Sequence, residues 1–152
     1  MEPQAVVARF FAEIWNEHRL AAAEEIVAPE CVTHQLRSSG GATGGVPRGP
    51  AELREHVAGW LAAFPDMTAE VEASVAAGDR VVSWVAMRGT HAGPWLGVPP
   101  TGRRVTVRTV VMHRVAGGRI VEDWVVTESL GLFQQLGVVE PTPDLLARAT
   151  RR

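Results

Sequence analysis

The chain has 152 residues, enough for one domain with a core and a small pocket. Its 46% hydrophobic and 21% charged content excludes a disordered chain, and its apolar runs fall far short of the roughly 18 residues that span a bilayer. A net charge of -2 without a basic block argues against nucleic acid as a partner.

From the N-terminus, Val6, Val7, Phe10, Phe11, Ile14 and Trp15 recur at helical spacing, predicting an amphipathic helix over 3–18 that opens on Pro3. A short helix over 20–27 ends before Pro29, and residues 31–35 read as a short strand. Residues 37–50, "RSSGGATGGVPRGP", form a loop without periodicity. Its Gly-rich part, 38–45, lacks the lysine of a phosphate loop and suits either a lid beside a pocket or a tolerated insertion. Leu53, Val57, Trp60 and Leu61 define a helix over 50–63, which "FPD" breaks. Strands follow over 67–76, 80–91, 103–115 and 119–127, the last two joined by a turn at Gly117–Gly118. A short helix over 129–136 leads to a tail of extended or peripheral structure. Helices followed by consecutive antiparallel strands predict an α+β fold, a curved sheet wrapped around the N-terminal helices as a cone with its pocket inside. Residues 1–137 make one domain and 138–152 an extension.

Some residue types are missing altogether. The single cysteine, Cys31, allows no internal disulfide and suits a reducing, cytoplasmic setting. The start of the chain has no basic segment leading to a cleavage site, so no signal peptide is expected. All 15 basic residues are arginine, which removes Schiff-base chemistry, and there is no tyrosine to stabilise an oxyanion. No histidine pair has metal-ligand spacing, so no metal is expected.

The segments "CVTHQL", "FPDMTAEVE", "RGTHAGPWLGVPPTGRRV", "GGRIVEDW" and "SLGLFQQLG" occur in an order that resembles the SnoaL-like polyketide cyclases, or ester cyclases, of the nuclear-transport-factor-2-like superfamily. The resemblance runs from the first helix to Gly137. It implies a cone-shaped α+β barrel, a homodimer or larger assembly, no metal and no organic cofactor. It also implies a hydrophobic polyketide-like substrate, closed into a ring by intramolecular aldol chemistry. The family's acid/base aspartate falls at the end of the last long strand, where this chain has Glu128. A pocket histidine is implied at His34.

Four residues are candidates for the chemistry: Glu128, Asp123, His34 and His91. Along the last strand, side chains alternate between two faces. Glu122, Trp124, Val126 and Glu128 share one phase; Val121, Asp123, Val125 and Thr127 share the other. Glu128 is the base if Trp124 faces the cavity, and Asp123 is the base if the valines do. Glu122, near the turn, is expected in solvent or paired with an arginine. His91 either lines the pocket mouth or braces its loop. Trp84, Trp95, Trp124, His113, Arg108 and Met112 are candidates for substrate contact, with Arg88 and Arg108 also open to structural ion pairs. Trp15 and Trp60 read as core, and His18 and His56 as helix surface. Two alternatives stand beside a cyclase or isomerase: a non-catalytic hydrophobic-ligand or accessory module, and an enzyme opening or closing epoxide or pyran rings.

Overall fold

The computed structural model describes residues 1–35 and 45–151. Helix α1 (Pro3–Arg9) runs into a wider π-helical stretch (Phe10–Asn16), where the Glu17 N–H donates to the Ala12 carbonyl five residues back. The wider turn places successive side chains at a smaller angle, so both members of the pairs Phe10/Phe11 and Ile14/Trp15 are buried. A 3₁₀ turn (Leu20–Ala22) and α2 (Ala23–Ile26) follow.

Strand β1 (Val27–Gln35) begins four residues earlier than its sequence suggests, and it contains Pro29. Pro29 lies in the irregular stretch between the pairs at Val27 and Val32, where its missing N–H costs no ladder bond. The segment expected to be loop contributes β2 (Val46–Pro47), antiparallel to β1; the proposed lid over 38–45 falls, except for Gly45, outside the described residues. Helix α3 (Pro50–Ala63) precedes β3 (Thr68–Ala77), β4 (Arg80–Thr90), β5 (Arg104–Ala116) and β6 (Arg119–Thr127), close to the expected bounds. Helix α4 (Ser129–Gln135) closes the domain, and the tail holds a surface helix, α5 (Thr142–Ala149).

The sheet is curved and unclosed, in the order β2-β1-β6-β5-β4-β3. β3 to β6 form an antiparallel meander, while β1 pairs with β6 in parallel. That parallel pair brings residues 90 apart into register, Thr33 beside Asp123. The concave face packs on the first helix, Phe64, Met67 and Leu132 to form the core.

The connection between β4 and β5 is held at both ends. The His91 N–H donates to Arg103 O, and the Gly102 N–H to His91 O, each at 2.9 Å. The N–H groups of Ala92 and Gly93 both donate to Ala63 O at the end of α3. Asp66 accepts from the Thr90 backbone N–H and hydroxyl, each at 2.7 Å, and these bonds hold its carboxyl below the usual range. Gly93 is required by close approach, because a Cβ there would lie 2.0 Å from the Ala62 carbonyl oxygen. Replacing Gly93 with Ala should therefore cost about 1–3 kcal/mol, as other overpacked sites do. Thermal unfolding checks this: the Tm should fall, together with quenching of Trp95 fluorescence if the loop shifts.

Candidate active site

The sheet's pleat decides which acid enters the cone. On β6, Asp123, Val125 and Thr127 point inward, and Trp124 and Val126 point outward. The valine phase therefore faces the cavity, not the tryptophan phase. Asp123 is 8% exposed and is the one carboxylate among the described residues lining an inner cavity of about 80 Å³. Burial is the main influence on its carboxyl and pushes its pKa up; a hydrogen bond from the Thr33 hydroxyl to Oδ1 pulls the other way.

His113 lies opposite Asp123 on β5, so Thr33, Asp123 and His113 form one row across three strands. The imidazole is fully buried against Phe10 and Phe11, with ring centres 4.9 and 5.9 Å apart. Neither ring nitrogen has a hydrogen-bond partner among the described residues, and burial lowers its pKa to about 3. The ring is therefore neutral across the physiological range. In either tautomer it has one N–H and one lone pair not taken up by protein.

The inner cavity adjoins a larger vestibule of about 570 Å³. Gln35, Arg48, His56, Trp60 and Thr127 border both spaces. Trp60, Trp95 and Phe133 form an aromatic wall in the vestibule, with Trp95 centred 5.2 Å from Trp60 and 5.6 Å from Phe133. Arg48 donates to the Gln35 side-chain oxygen at 3.2 Å.

Several sequence candidates lie elsewhere. Glu128 is exposed at the start of α4, where its carbonyl accepts the Leu132 N–H. Trp124 faces outward and stacks on His34, with ring centres 5.0 Å apart and planes 7° from parallel; the Arg80 guanidinium lies 5.1 Å from its centre. His34 meets Glu122 at 2.8 Å rather than entering the cavity, and Arg114 donates to the same carboxylate at 3.0 Å. These two bonds, the histidine's first, lower the pKa of Glu122. Trp84, 47% exposed, and Met112 also lie on the outer face, because both share the outward phase in the β4–β5–β6 register. Arg108 pairs with Glu72 at 3.2 Å and Arg88 with Glu70, as structural ion pairs. His91 is fully buried and braces its loop: Nδ1 accepts the Thr101 N–H at 3.2 Å and lies 3.0 Å from the Thr101 hydroxyl. Among the substrate-contact candidates, His113 and Trp95 border these spaces.

Sequence reasoning missed Thr33, Gln35, Arg48 and His56; Trp60, read as core, does pack against the core and also borders both spaces. Two of these left a signal. His56 shares the helical stripe of Leu53, Val57 and Trp60, at spacings of three and four. Gln35 alternates in phase with Thr33.

The chain belongs to the SnoaL-like polyketide cyclase family, whose model matches residues 5–136. Among curated relatives, aklanonic acid methyl ester cyclase DnrD of Streptomyces peucetius is 36% identical over 69 residues, 44% of this chain and 46% of its own length. The chain thus spans less than half of that relative. Nogalonic acid methyl ester cyclase of Streptomyces nogalater is 32% identical over 105 residues, covering 66% of this chain and 74% of the relative. Among solved structures, IdmH of Streptomyces antibioticus, proposed to be a polyketide cyclase, superposes with a TM-score of 0.78 at 35% identity, over 90% of this chain and 99% of that one. AclR of Streptomyces galilaeus, proposed to be a hydroxylase, gives 0.80 at 28% identity, over 98% and 89%.

An acid raised by burial makes the fold less stable where it is charged. As pH rises past the unfolded value of about 4, the unfolded chain ionises first and wild-type stability declines until the folded group has also lost its proton. Asp123→Asn should therefore melt higher than wild type at pH 7, by roughly 2–4 °C per kcal/mol relieved. The gap should close below about pH 4. Calorimetry at both pH values checks the sign.

Proposed function

We propose that the protein is a cyclase, or a related isomerase, that acts on a hydrophobic carbonyl compound with Asp123 as its base. The carrying observation is the placement of Asp123 in the apolar inner cavity. A desolvated carboxylate is a stronger base than one in water. It would take a proton from a carbon next to a carbonyl, leaving an enolate. The enolate carbon would attack a second carbonyl of the same molecule, forming a C–C bond and an alkoxide. The carboxylic acid would return its proton to that alkoxide, so the product is an isomer of the substrate and no further reactant is consumed.

His113 fits the role of donor to the enolate oxygen. A neutral imidazole fixed among phenylalanines does not reorganise as charge develops, and such donors act most strongly where water is excluded. This would supply what the absent tyrosines cannot. The aromatic wall fits a flat substrate body in the vestibule, with the reacting arm reaching inward. The names of the relatives suggest methyl esters of polyketide acids as first substrates to assay.

The outer face supports a homodimer. Trp84, Val110 and Val126 form one row across β4, β5 and β6, and Val82, Met112 and Trp124 form the next. Val75 is 69% exposed and Val126 58% exposed, an apolar band more typical of an interface than of a lone surface.

With aklanonic or nogalonic acid methyl ester as substrate, Asp123→Asn should lower kcat about 10²–10⁴-fold while binding persists. Glu128→Gln should stay within about two-fold of wild type. A ligand carrier would be indifferent to both changes, and an opposite ranking would return the base to Glu128. His113→Leu should cost about 10²–10³-fold in kcat. Sedimentation should show a dimer that Val126→Arg converts to monomer.

A further inference from the structure

We propose that Thr33 is the positioning residue of this site, its hydroxyl holding Oδ1 of Asp123 so that Oδ2 is the oxygen offered to substrate. The inference rests on Asp123 being the base and concerns what orients it. Three observations support it. Thr33 is 1% exposed, and its hydroxyl donates to Oδ1. The parallel register fixes the pair from both sides, with Val32 beside Glu122 and His34 beside Trp124. A β-branched side chain is also stiff about χ1, so the hydroxyl direction follows from the backbone.

The surroundings set the charge balance. On β1, Cys31 is a neutral thiol, pushed up to about 12 by burial, and His34 faces outward. Arg48, just before α3, and then His34 favour the carboxylate at longer range, and Glu122 on β6 opposes it. His113 approaches from β5 as a neutral ring, Phe10 and Phe11 from the first helix are apolar, and His56 borders the same cavity from α3. Burial favours the protonated acid, and the Thr33 hydrogen bond is the largest influence opposing it. Thr33 would thus do two things at once: aim one oxygen, and oppose the rise in pKa that burial imposes on the acid.

The test needs no substrate. The Asp123 carboxyl carbon is followed by ¹³C NMR through a pH titration of the full chain, with Asp123→Asn assigning the resonance. Thr33→Val keeps the shape and removes the hydroxyl, and should move the titration midpoint to higher pH. Thr33→Ser should restore it. If Thr33→Val does not fold, Thr33→Ala serves as the hydroxyl-free variant. In turnover, the hydroxyl-free variant should lower kcat/KM roughly ten-fold on the acid side of the profile, with KM little changed, as loss of one hydrogen bond to a charged group implies. A folded hydroxyl-free variant whose midpoint matches wild type overturns the proposal. Full activity in Asp123→Asn would instead overturn the base assignment, whatever the titration shows.

Discussion

A carboxylate inside an apolar cone needs a partner, and the hydrogen bond between Thr33 and Asp123 is the contact on which the rest of the site turns. It exists because β1 and β6 lie side by side in parallel. Parallel neighbours cannot be joined by a tight turn. Here the intervening chain supplies α3 and the first three strands of the meander, β3 to β5, before it returns as β6. The walls of the pocket are therefore made by the same connection that brings the acid to its partner. The pairing irregularity between Val27 and Val32 sets the register in which the two residues meet.

The two faces of the sheet divide the work. Inside, charge is scarce: Asp123 and the neutral ring of His113 lie among valines and aromatic rings, with Arg48, His56 and Gln35 where the cavity meets the vestibule. Outside, charges are paired in rows. Arg88 with Glu70 and Arg108 with Glu72 lie on one side of the exposed apolar band, and Arg114 with Glu122 and His34 on the other. Exposed pairs of this kind add little stability each. They border the apolar band that the proposed dimer would bury.

The loop between β4 and β5 turns a fold into a particular site. His91 closes it end to end through Thr101, Gly102 and Arg103, Asp66 and Gly93 tie its start to the corner after α3, and Trp95 lies against Trp60 and Phe133. None of these anchors touches the inner cavity. Their effect is to give the vestibule a fixed aromatic wall, and to do so from the segment that carries the "GTH" and "PPTG" runs of this sequence. Related folds whose proposed reactions differ, a cyclase and a hydroxylase, show that the scaffold alone does not choose the chemistry.

The sequence alone determined the order of the main helices, the four long strands, the family and a set of acids near the last strand, because hydrophobic periodicity, turn glycines and motif order are local properties. It also showed Arg88 and Arg108 as candidates for ion pairs. It could not decide between Asp123 and Glu128, because both phases of β6 carry large apolar residues: Trp124 and Val126 on one, Val121 and Val125 on the other. Only the curvature of the sheet and the helices packed on its concave side select the inner phase. That selection sends Trp84, Trp124, Met112 and His34 outward and brings Asp123 and His113 together. Thr33 became visible only with its partner, since a contact between residues 90 apart leaves no trace in local pattern.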